Sequence, residues 1–213
     1  TSDQVGGPLF SWIDISGVGT RIPAGDDTIH GPFAIGFPFT FFDKTYTSFY
    51  LSSNGWLSFQ SQSSSAYSNV CLPNPSAPRA MLAGWWDDLN PGASGDVYYL
   101  SSSDSLVVSF VSVPRFGSGG PYTFQFILRD DGTITYQYLD MQGTRLNEAT
   151  IGLQDDSGLN GLSVACNEDY VHNELAIHFT PNSSLVGETR FGFRARVDDD
   201  LPPFTIITNT ALA

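Results

Sequence analysis

Phe33-Ala34-Ile35-Gly36-Phe37-Pro38-Phe39-Thr40-Phe41-Phe42 carries a large apolar side chain at every second position. The two-residue period of an extended chain puts Phe33, Ile35, Phe37, Phe39 and Phe41 on one face of a strand. Pro38 lacks the N–H that a ladder needs, which predicts a sheet edge or a bulge at this point. Asp43-Lys44 turns the chain into a partner strand over residues 45–52. Asn54-Gly55 is a hairpin signal, and Trp56-Leu57-Ser58-Phe59 returns beyond it.

Outward from this segment, strand patterns recur between clusters of Gly, Pro, Asn, Asp and Ser, and helical periodicity is nearly missing. Strands are expected over residues 80–86, 96–100, 105–111, 122–128, 134–139, 149–154, 174–179 and 190–197. Residues 60–79 break the pattern. A polar run is followed by Leu72-Pro73-Asn74-Pro75-Ser76-Ala77-Pro78, which cannot pair inside a sheet. The expected fold is all-β, an antiparallel, jelly-roll-like β-sandwich of about ten strands over residues 1–197. Trp85 and Trp86 are adjacent, so one indole should enter the core and the other the opposite face. Asp198-Asp199-Asp200-Leu201-Pro202-Pro203 marks a boundary, and Phe204-Thr205-Ile206-Ile207-Thr208 is a β-prone tail within residues 198–213.

Composition narrows the class. The 213 residues hold 22 acidic and 9 basic side chains, for a net charge of -13. That balance disfavours nucleic acid, whose phosphates require Lys and Arg in excess, and it repels anionic membranes. No apolar run is long enough to span a bilayer as a helix. Thr1-Ser2-Asp3 reads as a processed end, so the lack of a leader is compatible with export. Cys71 and Cys166 fit one structural disulfide in an exported protein, with two buried free thiols as the alternative.

Several segments together resemble the nidogen-like extracellular β domains of secreted and surface-anchored bacterial and archaeal proteins. They are Phe37–Phe42 with Tyr46, Ser52–Phe59, Trp85-Trp86-Asp87-Asp88-Leu89-Asn90-Pro91, Gly95–Tyr99, Phe124–Leu128 with Asp131-Gly132-Thr133-Ile134, and Ala149–Leu153. The likeness spans roughly residues 9–180. It implies a secreted or cell-surface, non-catalytic module, and it transfers no ligand or catalytic residue.

The residues themselves offer little catalytic chemistry. His30, His172 and His178 form no HExxH pair and no zinc-like spacing, and no Gly-x-Ser-x-Gly elbow occurs. Adjacent carboxylates on an extended chain point apart, which argues against a glycosidase pair. Asp-Asp pairs recur at Asp26-Asp27, Asp87-Asp88, Asp130-Asp131 and Asp155-Asp156. Loop carboxylates are the ligands Ca²⁺ prefers, and Asp87 and Asp88, which follow an apolar strand, are the expected calcium site. The bland reading of such pairs is a turn, since Asp-Asp-Gly is an ordinary turn and Asp bonds nearby amides. Trp12, Trp56, Trp85 and Trp86 are read as core rather than as a sugar platform. The expected role is adhesion or binding of a glycan or protein ligand. The alternative is a structural subunit whose tail pairs with copies of itself.

Overall fold

The computed structural model describes residues 1–141 and 143–181. The expected strand over residues 190–197, the acidic break, the β-prone tail and the boundary at residue 197 lie outside the described residues.

All regular structure in the described residues is strand. The twelve strands are β1 (Thr20–Ile22), β2 (Ile29–Phe41), β3 (Lys44–Ser52), β4 (Trp56–Ser58), β5 (Met81–Trp86), β6 (Asp96–Ser101), β7 (Ser105–Val113), β8 (Tyr122–Arg129), β9 (Ile134–Asp140), β10 (Thr150–Gln154), β11 (Gly161–Cys166) and β12 (Leu175–Phe179). They form two six-stranded antiparallel sheets, ordered β1-β6-β7-β8-β9-β12 and β11-β10-β5-β4-β3-β2. β1 and β11 are the additions to the expected set. β1 has three residues, and β11 (Gly-Leu-Ser-Val-Ala-Cys) is a short strand in which Ala165 alone is buried, paired to β10 through a register shift.

The aromatic alternation of β2 does what its period demands. Ile35, Phe37, Phe39 and Phe41 are buried, and the residues between them are exposed. β2 is an edge strand, and its pairing with β3 shifts register between Ala34 and Phe39, so Pro38 sits at both an edge and an irregularity. The main core between the sheets gathers these side chains with Trp85, Phe110, Phe124, Phe126, Tyr136 and Tyr138.

Two buried hydroxyls tie the sheets together across this core. Tyr138 Oη donates to the Gly84 carbonyl at 2.7 Å, and Tyr136 Oη donates to the Gly152 carbonyl at 2.9 Å. Both acceptors lie at bulges. The β5–β10 register shifts between Thr150 and Gly152, and the amides of Gly84 and Trp85 both donate to the Gly55 carbonyl. Gly84 can carry no side chain, because a Cβ there would lie 2.4 Å from the Phe126 ring. Burial holds both phenols well above the usual tyrosine range, so they remain hydrogen-bond donors. Tyr138→Phe is expected to lower stability by about 1–2 kcal/mol, because the Gly84 carbonyl would stay buried without its donor. Urea unfolding checks this, and an unchanged midpoint would remove the cross-core bond from the account.

Both outer faces are crossed by a strand-free segment, and each crossing is gripped by a buried glutamine. In the face of β8, the Gln125 amide lies 3.1 Å from both the N–H and the carbonyl of Ile13, and the amide orientation that satisfies both atoms donates to the carbonyl and accepts from the N–H. Ile13 and Ile15 pack there against Val107 and Ile127. In the face of β10, Gln154 accepts from Asn74 N–H at 2.8 Å and donates to the carbonyls of Asn74 and Pro78 at 3.2 and 2.8 Å. An amide does here what a neighbouring strand would do, satisfying a backbone donor and acceptor that lack a ladder.

The second crossing, residues 60–79, is better packed than its polar composition suggests. Leu72 and Ala77 bury against Trp56, Met81, Ala83 and Trp86 to form a separate apolar cluster. Trp85 faces the main core and Trp86 faces this second cluster, so the two indoles point opposite ways and both are buried. Trp12 is half-buried. The Cys71–Cys166 disulfide is formed and ties the crossing to β11 across a sequence separation of 95.

Candidate functional site

The segment Trp86-Asp87-Asp88-Leu89-Asn90 leaves β5 at one end of the sandwich and is bound there by three other loops. Its backbone pairs with residues 114–116. Leu89 bridges Arg115, Phe116 N–H donates to the Asp88 carbonyl at 2.7 Å, and Asn90 N–H donates to the Pro114 carbonyl at 2.9 Å. Asn54, fully buried in the β3–β4 turn, accepts from Leu89 N–H at 2.9 Å and donates to the Asp27 carboxylate at 2.8 Å. Ser65 Oγ donates to the same carboxylate at 3.2 Å. Asn54 therefore does more than turn a hairpin. Its two-sided amide draws the β1–β2 loop and the segment after β5 together.

Asp87 and Asp88 go separate ways, as adjacent residues on an extended chain must. Asp87 is 3% exposed. It accepts from Arg115 Nε at 2.9 Å and from the Asp88 N–H at 2.7 Å. Burial still holds its carboxyl above the usual range, so desolvation outweighs both the backbone bond and Arg115. Arg115 also reaches Glu148 at 3.2 Å, and Arg145 pairs with that same Glu148 at 2.9 Å. This carboxylate therefore belongs to an ion-pair network that fastens loops.

Asp88 instead meets Asp26 and Asp27. One oxygen from each of the three lies within 4.8 Å of the others. Among the described residues this is the group able to hold a cation. Its ligands are hard oxygens, the type Ca²⁺ takes, although three carboxylates alone fall short of a full Ca²⁺ shell. Burial and then the neighbouring Asp27 push the Asp26 and Asp88 carboxyls up. Of the expected pair, Asp88 joins Asp26 and Asp27, while Asp87 turns to Arg115.

The remaining acidic pairs have other partners. Asp131 Oδ1 accepts from the Thr133 N–H and hydroxyl and closes the β8–β9 turn. Burial raises the Asp155 carboxyl, but donors from Asn160, Ser157 and Gly158 together bring it below the usual range. Asp156 pairs with Lys44. Each histidine meets a different neighbour: His30 meets Thr28, His172 meets Asp3, and the exposed His178 meets Thr135.

The raised carboxyls set a pH test. A carboxyl whose folded pKa lies above its unfolded value costs stability once pH rises past that unfolded value, here 3.8. Asp88→Asn removes this cost in metal-free buffer. The variant is expected to be more stable by about 0.5 kcal/mol at pH 7, the scale of a solvent-screened charge pair. The gain should vanish below pH 3.8, where the wild-type carboxyl is already neutral. Thermal unfolding at the two pH values checks it, and a loss of stability at pH 7 would contradict the repulsion.

No solved structure matches this chain at a significant level. The family model described as NIDO related matches residues 10–185, which is most of the chain and nearly the stretch in which the aromatic and Trp-Trp-Asp-Asp segments lie. The chain belongs to the NIDO-related family.

Proposed function

We propose that this domain is a non-catalytic extracellular module that binds a glycan or protein ligand through the loop end carrying Asp26, Asp27 and Asp88. One observation carries the reading. The loops that hold this acidic trio also carry exposed aromatic side chains. Phe116 is 49% exposed, and its N–H is bonded to the Asp88 carbonyl. Tyr67 is 52% exposed and lies two residues beyond Ser65, which bonds Asp27. Aromatic faces offer stacking to sugar rings or apolar side chains, and carboxylates take hydroxyls or a bridging Ca²⁺. Family membership and the disulfide support an extracellular setting.

A glycan array and pull-downs with the whole domain test the reading, run with Ca²⁺ and again with a chelator. Binding that weakens at least tenfold in Tyr67→Ala, Phe116→Ala or Asp88→Asn supports it. An absence of binders in both conditions, or binding indifferent to all three substitutions, removes it.

A further inference from the structure

Residues 60–79 contain no strand, and none of them enters the main core. They nonetheless seal Trp56 and Trp86, which are 0% and 1% exposed. Several fastenings hold this segment down. Asn69 donates to Thr150 and Asn167, Thr150 donates to the Val70 carbonyl, and Arg79 donates to the Asp156 and Ser157 carbonyls. Three more involve the indoles, the proline stretch and the bridge. The indole N–H groups of Trp56 and Trp86 donate to the successive carbonyls of Ser65 and Ala66 at 2.9 and 2.6 Å. Gln154 grips Asn74 and Pro78. The last fastening is covalent and faces outward, with Cys71 exposed and Cys166 half-exposed.

We propose that residues 60–79 form a strap that opens as a unit apart from the two-sheet core, and that the Cys71–Cys166 disulfide is its latch. A dithiol reductant that cuts the bridge makes opening about a hundred-fold more frequent and uncovers the apolar face of Trp56 and Trp86. With the bridge intact, an opened strap stays tied to β11 at its middle and becomes two short loops. With the bridge cut it becomes one free loop running from Phe59 to Ala80. The entropy withheld by a cross-link over roughly ten residues corresponds to that hundred-fold factor. The bridge also restrains the unfolded chain, so global unfolding rises on reduction as well, but the packing of the core itself does not use it. The core's cross-sheet bonds run from Tyr136 and Tyr138 to Gly152 and Gly84, none of which lies in the strap. The chemistry is ordinary exchange. One thiolate of the dithiol attacks a bridge sulfur, and its second thiol releases the mixed disulfide. Two electrons pass to the protein, which ends with two thiols while the reductant ends as a cyclic disulfide.

The three indoles provide the test. Trp56 and Trp86 report the strap, while Trp85, whose Nε1 is buried without a partner, reports the core. Indole N–H exchange is followed by NMR on the whole protein, oxidised and after dithiothreitol, and on Cys71→Ser/Cys166→Ser. The expected result is about hundred-fold faster exchange at Trp56 and Trp86 on reduction, well ahead of Trp85 and the β8 amides, and unaffected by low urea. Strap indoles that exchange in step with Trp85 and β8 in every state would show that the segment opens only with global unfolding. Rates unchanged by reduction would show that the disulfide is no latch. Either result overturns the proposal.

Discussion

Arg115→Met is expected to cost about 3 kcal/mol, the lower end of what removing one partner from a buried ion pair costs. Methionine keeps much of the side-chain volume and removes the charge. The damage falls on Asp87, which is 3% exposed and keeps only the Asp88 N–H when Arg115 Nε is gone. The deficit should depend on pH in a definite direction. Burial already holds the Asp87 carboxyl above its unfolded value of 3.8 even with Arg115 beside it. Without the guanidinium it rises further. The variant's deficit is therefore largest near neutral pH and shrinks as pH falls, to disappear below 3.8, where the carboxyl is protonated in both states. Asp87→Asn/Arg115→Met leaves no buried charge and should recover most of the loss, a coupling read from a double-mutant cycle. A single variant within about 0.5 kcal/mol of wild type, the range of an ordinary surface substitution, would mean the pair holds nothing together.

Replacing both cysteines, Cys71→Ala/Cys166→Ala, is expected to lower stability by roughly 4–5 kcal/mol. The bridge closes a loop with a sequence separation of 95, and a cross-link of that span withholds about this much free energy from the unfolded chain. The cost acts mainly on the unfolded state, so the double variant should fold to the same sandwich with a lower urea midpoint. Far-UV circular dichroism and equilibrium unfolding separate the two effects. A loss under about 1 kcal/mol would indicate that the unfolded chain is already compact around this loop.

The sandwich was legible because strands announce themselves locally. A two-residue alternation such as Phe33–Phe41 needs only its own nine residues to be read, and Pro38 carries its edge meaning with it. β11 escaped notice for the converse reason. Leu162 and Val164 alternate with Gly161 and Ser163, but over only six residues, and Ala165 alone among them is buried. The strap is loop in backbone terms, as its polar and proline-rich composition indicates. Its packing depends on Leu72 and Ala77 meeting indoles that belong to β4 and β5. The loop end was the least legible feature. Asp88 was found beside an apolar strand, but its companions Asp26 and Asp27 lie some sixty residues earlier, and nothing local links them. Asn54 looked like a turn residue because Asn-Gly is a turn signal. Its second function, as the amide between Asp27 and Leu89, depends on burial that no dipeptide reveals. Arg115 gave one hint only, as one of 9 basic residues in a strongly acidic chain.

The paired glutamine grips restrict how another molecule can approach. Gln125 and Gln154 each hold a length of this chain's own backbone against an outer face, so those stretches are covered before any visitor arrives. A flat-on docking there would have to evict a segment whose donors and acceptors are already matched. Among the described residues, the loop end that carries the exposed Phe116 is not covered in this way.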